Sequence, residues 1–428
     1  MLETPTPPPA PSLPISPAGA ALTPRYQEKR EAILAGAAAL FNERGVKGAT
    51  LADIAGSVGL VTNSVTYYYR KKEELATACF MRTLAAYNGL IVQAASAAGP
   101  EARVRALLRG HAELLAAIET GQHPPVLSFN DVRALPSPQM ENVFEAYSDM
   151  YRRLRALLQG PETQALSRDE LNARAHSLLS HAHWLRSWID RYEPEEYTRI
   201  AERVADTLLH GMAAPGSVWR AAGDEREWPL AEGAAGRSEA LDAFLRAATF
   251  LVNEQGYRGA SVDKISARLH VTKGSFYHHN DNKQDLISAC FERSFGVLRQ
   301  ALQRAESGPG SGWDRACAAA RALTSFQLSA RGPLLRSSAT SALPDAVQRD
   351  KVRRTMHRLA ERMACVVVDG MMDGSIRPLD PAIAAQAAIA LINATGELRR
   401  WVPTVDAGSV ADLYVRPLFT GLLCPAAA

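Results

Sequence analysis

"VTNSVTYYYRKKEEL", Val61 to Leu75, and "VTKGSFYHHNDNKQDL", Val271 to Leu286, decide the fold between them. Each places small polar groups ahead of clustered aromatic or imidazole rings, then a turn and a lysine. Setting Gly45 on Gly256, an offset of 211, lays Leu34–Arg82 on Leu245–Arg293 without a gap, and sixteen of the forty-nine pairs are identical. Among them are Gly48/Gly259, Ile54/Ile265, Ser64/Ser275, Lys72/Lys283 and Leu75/Leu286. A period this long is not a solenoid repeat; it is a domain duplicated and fused.

The residues around these stretches dictate short helices. Ile33, Leu34, Ala37, Leu40 and Phe41 share one helical face, and Gly45 follows as a C-cap. Thr50 and Asp53 are spaced as a capping box for a second helix that buries Leu51, Ile54, Ala55 and Val58; Ser261 and Asp263 serve the other copy. Gly59 is expected to take the left-handed conformation that ends this helix, and His270, in its place, is one of the tolerated types. A third helix then starts at Thr272 and carries Lys273, Gly274, Ser275, Tyr277, His278 and His279, with Phe276 turned inward. Two short helices joined by a tight turn make a helix-turn-helix.

That pattern has a chemistry. A helix entering the DNA major groove needs small residues for close approach, hydroxyls and imidazoles for base edges, and an aromatic ring for a thymine methyl or a sugar. Lys283, opening the next helix, is placed to neutralise a phosphate. In the first copy Thr62, Asn63, Ser64, Tyr67, Tyr68 and Lys72 are the usable groups, and Arg70, Lys71 and Lys72 form a phosphate-facing cluster. Arg25, Lys29 and Arg30 are expected just ahead of its first helix.

Both heads resemble the DNA-binding domain of the tetracycline-repressor (TetR) family, whose signature runs small-polar, Lys, Gly, Ser/Thr, apolar, Tyr, aromatics or His, a polar turn, then Lys. The second head matches it at Thr272, Lys273, Gly274, Ser275, Phe276, Tyr277, His278 and Lys283. The first departs: Thr66 stands at the tyrosine, Val61 at the cap hydroxyl, and Arg70 and Lys71 in the turn. A different half-site preference, or mostly nonspecific contact, is expected of it.

The resemblance implies an all-α chain of two tandem units, each an N-terminal three-helix helix-turn-helix head and a C-terminal helical ligand-binding and dimerisation bundle. On this reading residues 1–24 are a disordered Pro-rich leader, 25–84 the first head, 85–213 its tail, 214–238 a linker, 239–296 the second head and 297–424 its tail. One helical stripe runs Leu171, Ala175, Leu178, Ala182, Leu185, Ile189 and Tyr192, and after Pro194 another runs Tyr197 to Met212. The second tail offers Ile383 to Trp401 and then Val410 to Leu422, kinked or restarted at Pro417. In the family such terminal helix pairs form a dimer, which here is either an intrachain pseudo-dimer on an asymmetric operator or a homodimer of chains on palindromic half-sites. The resemblance also implies a tail pocket for a small, largely apolar effector, with Phe129, Tyr147, Tyr151, Trp184 and Trp188 as first-tail linings and Phe326, Met356, Met363 and Trp401 as second-tail linings. Large apolar residues at helical spacing are equally what cores contain.

Composition excludes other classes. With 47% hydrophobic and 22% charged residues and a net charge of +3, the chain is globular and only mildly basic, so a polyanion must meet a local patch. No run of about 18 apolar residues occurs, so no membrane span is expected. Five widely spaced cysteines without a C-x-x-C pair fit a cytoplasmic protein. His176, His181 and His183 do not converge on one helix face with an acidic partner, and "DGMMDGSIRP" (Asp369 to Pro378) lacks alternating acidic ligands, so no metal and no cofactor is expected. There is no G-x-S-x-G and no strand-borne Gly-rich loop, hence no catalytic residues. The reading is a transcriptional regulator with double-stranded DNA and a small effector as partners, a repressor by analogy; an activator, or an interaction module whose heads have lost DNA affinity, remains the alternative.

Overall fold

The computed structural model describes residues 23–220, 223, 228, 230, 239–270, 283–343 and 345–424, with the side chains of 130, 257, 258, 341 and 342 excepted. Its architecture is all-α in two tandem units. Among the described residues the extended pairing amounts to a single antiparallel bridge between Ala213 and Ile376.

The first head consists of α1 (Pro24–Arg44), α2 (Leu51–Ser57) and α3 (Thr62–Tyr68) packed on the start of α4 (Lys72–Ala95). Thr23 caps α1, whose face of Ile33, Leu34, Ala37, Ala38, Leu40 and Phe41 is buried. Arg25, Lys29 and Arg30 therefore lie inside α1 and not ahead of it, because Thr23 and Pro24 supply an N-cap and an N1 proline two residues upstream of the charge run. Thr50 and Asp53 form the full capping box of α2. Gly59, at φ +65°, turns the chain into α3, where Val61 provides no side-chain cap and Val65 is fully buried. The second head repeats this with α9 (Glu239–Gly259), broken by Gly256 at φ +71°, and α10 (Val262–Leu269), capped by Ser261 and ended by His270 in the left-handed conformation at φ 56°, ψ 37°. The third helix expected from Thr272 lies outside the described residues.

The first tail comprises α4, α5 (Gly99–Glu119), α6 (Gln139–Leu157), α7 (Arg168–Leu185) and α8 (Tyr197–His210). The second comprises α11 (Lys283–Glu306), α12 (Gly312–Leu328), α13 (Ala346–Met372), α14 (Pro381–Ala394) and α15 (Arg416–Thr420). α4 is long and apolar enough, by length and composition, to cross a membrane, but here it packs against α1, α5 and α6 as the central helix of its unit. Both long stripes break earlier than the periodicity predicts: α7 gives way to 3₁₀ turns at Ile189–Arg191 and Pro194–Glu196, and α14 to one at Thr395–Arg400. Around Pro417 a π-helical turn, Ala411–Val415, hands over to α15, which answers the missing proline N–H with a restart. In "DGMMDGSIRP" Asp373 ends α13; its carboxylate accepts from the amides of Gly312 (2.7 Å) and Ser375 (3.0 Å), a structural turn.

The two tails pack against each other within the chain. α7 lies on α14, and α8 on α14 and α15. Across this seam Arg174 donates to the carbonyls of Leu422 and Cys424 (both 2.9 Å), Asn172 Nδ2 to Trp401 O (2.9 Å), Trp184 Nε1 to Gln386 Oε1 (3.0 Å) and Arg377 to the Asp206 carboxylate (2.6 Å). The start of the 214–238 segment is docked rather than free: Trp219 Nε1 donates to Asp412 (2.7 Å) and its ring meets Phe419 and the Arg321 guanidinium. Its Trp and Val residues are what the absence of an apolar period conceals.

Candidate functional site

On the outer face of the first head α3 exposes Thr62, Asn63 and Tyr67, with Ser64, Thr66 and Tyr68 half-buried. Tyr67 is 76% exposed, an unusual cost for a ring in water unless it has a partner. It is held by an aromatic cluster: Tyr26 of α1 lies 4.6 Å from Tyr68 and 6.4 Å from Tyr67, and the latter two meet edge to face at 5.3 Å. Tyr26 was not among the sequence-predicted groups; an aromatic beside Arg25 was its only signal. Arg70 and Lys71 are exposed and Lys72 is half-buried as the first residue of α4. The sequence-predicted residues of the second reading helix, Thr272, Lys273, Gly274, Ser275, Tyr277, His278 and His279, lie outside the described residues. Lys283 opens α11, as Lys72 opens α4, and borders a cleft between the heads that is also lined by Arg44, Lys47, Arg336, Arg349 and Arg353.

Each head is tied to its tail by the same clamp. Asn42 Nδ2 donates to Val126 O (2.8 Å) while its Oδ1 accepts from Ser128 N (2.9 Å); Asn253 does the same with Leu334 O (2.8 Å) and Arg336 N (3.0 Å). Arg82 and Arg293 bridge from the long helix to Pro125 O (2.8 Å) and Pro333 O (3.3 Å). Each tail also meets the opposite head: the turn Phe129–Ala134 packs on α9, and Ser337–Ala342 packs on α1. Arg133 pairs with Glu254 across this junction. Asp131 accepts from Val46 N (2.9 Å) in the space where Gly45, at φ +72°, lacks a side chain; burial raises its carboxyl pKa, against the lowering pull of the Val46 amide and Lys47. The identical Asn42/Asn253 pair in the repeat was the signal for the clamp; Asp131 had none.

The sequence-predicted effector linings divide. Met356 and Met363 border a cavity of about 60 Å³ in the second tail, together with Phe291, Phe295, Leu298 and Leu302. Phe326 is buried elsewhere, its ring facing the Arg293 guanidinium at 5.7 Å, because α12 turns it toward the head–tail bridge. Trp401 does not line the second tail: once α14 tightens into a 3₁₀ turn, its indole crosses the seam and stacks on Tyr151 (3.5 Å between centroids, 11°) near Tyr147. Phe129 and Tyr147 meet in the first tail at 4.9 Å, whereas Trp184 faces Gln386 across the seam and Trp188 is core beside Tyr192.

The tail histidines serve the same interior. His181 bonds Ser177 O and, across the seam, Ala387 O; His176 bonds Tyr414 OH (2.9 Å). His183 lies against Tyr87 and Phe129, and His111 against Tyr87. Burial pushes the pKa of His111 down to about 3 and of His176 and His183 to about 4, so at neutral pH these rings are uncharged packing groups. No cluster of metal-ligating side chains occurs among the described residues.

In the first head a capped helix, a left-handed turn residue and a second short helix on a helical support make a helix-turn-helix, and the second head repeats the capped helix, the left-handed turn residue and the helical support 211 residues on. The sequence pattern of the bacterial regulatory proteins of the tetR family matches residues 33–79 and again 244–290, so the chain carries two regions similar to that family. Over 71 residues it is 37% identical to the transposon Tn10 TetC protein of Escherichia coli, a stretch covering 17% of this chain and 36% of that protein. It is 33% identical over 63 residues to the biofilm operon icaADBC HTH-type negative transcriptional regulator IcaR of Staphylococcus epidermidis, covering 15% and 34%. The chain thus spans about a third of the length of these curated relatives. Among solved structures it is similar to a TetR-family transcriptional regulator from Bordetella parapertussis (19% identity, 42% of this chain and 94% of that one, TM-score 0.37) and to the TetR-family regulator PfmR from Thermus thermophilus (21% identity, 43% and 99%, TM-score 0.36).

Proposed function

We propose that the chain is a single-polypeptide pseudo-dimer that represses transcription from an asymmetric operator and is released by a small, largely apolar effector. The observation that carries this reading is the seam between the tails: α7 and α8 already bury their apolar faces on α14 and α15 of the same chain, so the surface that would pair two chains is used internally. One chain then presents two unlike heads. The first reads through Thr62, Asn63, Ser64, Tyr67 and Tyr68 with Lys72 on phosphate; the second through Thr272, Lys273, Gly274, Ser275, Tyr277, His278 and His279 with Lys283 on phosphate. Two such helices must lie about 34–36 Å apart to enter successive major grooves. An effector that favours another spacing releases DNA, and about hundredfold control requires it to prefer the released state by about 2.7 kcal/mol. The clamps of Asn42 and Asn253 are the elements that transmit a tail movement to the heads.

Selection of bound sites from random duplex DNA, with the mass of the complex measured on the selected site, tests this. An asymmetric site held by one chain is expected. A palindrome held by two chains would overturn the pseudo-dimer, and no enrichment at low salt would overturn DNA recognition itself.

A further inference from the structure

The two tails are built on one plan but do not enclose the same space. α4 and α11 are equally long and run from Lys72 and Lys283, so the offset of 211 lays Phe80 on Phe291 and Tyr87 on Leu298. The segment after α5 and α12 is fixed by matching bonds: Leu127 N donates to Thr83 Oγ1 and Leu335 N to Ser294 Oγ, both at 2.8 Å, beside the two Asn clamps. That register lays Phe129 on Ser337, each opening its 3₁₀ turn. Burial matches Val143, Met150 and Leu154 of α6 with Val352, Leu359 and Met363 of α13, which lays Tyr147 on Met356.

At three matched positions, therefore, the first tail has rings where the second has Leu298, Ser337 and Met356. Those rings fill the interior: Phe129 lies 4.9 Å from Tyr147, 6.1 Å from Tyr87 and 6.1 Å from Phe80, with His183 closing the cluster at 5.7 Å. The second tail keeps the cavity of about 60 Å³ at this place, lined by Leu298, Ser337 and Met356 themselves.

We propose that the chain binds one effector, in the second tail only, and that Phe129 acts as a built-in occupant of the first. This deepens the reading of the chain as an effector-controlled regulator and rests on it. The walls, Phe291, Phe295, Leu298, Leu302, Met356 and Met363, take a compact apolar group, a short branched alkyl chain or a single ring. Ser337 and Asn393 at its edge select a ligand with one hydrogen-bonding atom. The methionines adapt to size, since an unbranched thioether repacks at little cost. The wiring follows from the fold: Ser337 belongs to the turn that packs on α1, so a ligand against it moves the first head, while Phe129 holds the turn on α9 in a permanently filled state.

Crystals of the full chain pressurised with xenon, which enters dry apolar cavities, test the asymmetry without knowledge of the natural ligand. One xenon site, between α11, α13 and α14, is expected in the wild type. Phe129→Ser should add a second site in the first tail, and Ser337→Phe should remove the original one. Should Ser337→Phe not fold, Ser337→Leu serves the same purpose. Xenon in both tails of the wild type, in the first tail alone, or in neither overturns the proposal. The same preparations are titrated with the selected operator: loss of DNA binding alongside the expected xenon pattern would overturn the regulator reading and leave the one-sided cavity standing.

Discussion

At the scale of a single residue, the Tyr67 ring is exposed yet fixed by Tyr26 and Tyr68, as the proposed reading of DNA by the first head requires. Tyr67→Ala is expected to reduce affinity for the selected site by about 1–3 kcal/mol while changing random DNA little, whereas Lys72→Ala should weaken all sequences alike and lower the salt slope by about one, both read by fluorescence anisotropy against salt. The buried histidines make a prediction of a different kind. Their pKa is depressed by burial to about 3 for His111 and about 4 for His176 and His183, while the unfolded chain protonates near 6.5. The unfolded state then binds more protons below that value, so stability is full above about pH 6.5 and falls as the pH drops toward 4, by at most about 1.4 kcal/mol per unit for each ring. Thermal melts at pH 7.5 and 5 should show a lower Tm at pH 5, and His111→Phe, set against the Tyr87 ring, should make that dependence shallower.

At the scale of elements, the head–tail junction is held by two side-chain amides rather than by apolar packing alone. Asn42→Ala and Asn253→Ala each remove a donor and an acceptor and leave backbone groups at 126 and 128, or 334 and 336, without their partners. Each should cost about 1–3 kcal/mol in chemical denaturation. The α2 cap is simpler: Thr50→Ala removes the capping box and should cost about 1 kcal/mol, because α2 has only seven residues to spread the loss over. Cap and clamp differ in what they couple. Cap loss should lower stability alone, while clamp loss should also weaken the response of DNA affinity to effector.

For the whole molecule, the proposed pseudo-dimer requires the seam between the tails to take the place of an interface between chains. Sedimentation or native mass measurement across a hundredfold range of concentration should report one chain throughout. Arg174→Ala should cost about 2–4 kcal/mol, since the guanidinium is buried and satisfies the carbonyls of Leu422 and Cys424 at the end of the chain. A dimer at micromolar concentration, or a neutral Arg174→Ala, would mean that the seam is not the stable interface described.

The all-α class and the duplication are legible in helical period and in the repeat, and the caps at Thr50 and Ser261, the turns at Gly59 and His270 and a break at Pro417 in the sequence around them, because each of these depends on the conformational preferences of a few adjacent residues; that Pro417 restarts the helix rather than kinking it is seen only in the fold. Arg25, Lys29 and Arg30 were misplaced by a few residues for the same local reason: a Thr-Pro start outweighs a charge run. What the tertiary structure decided is which copy each buried group serves. Trp401 belongs to the second tail by sequence but stacks on Tyr151 of the first, and Phe129 and Ser337 differ in consequence only because the backbone holds them at matched positions facing different neighbours. Helical period tells which side of a helix is buried; it carries no information on what lies opposite, since that contact joins residues more than two hundred apart in the chain and is set by packing the two copies together.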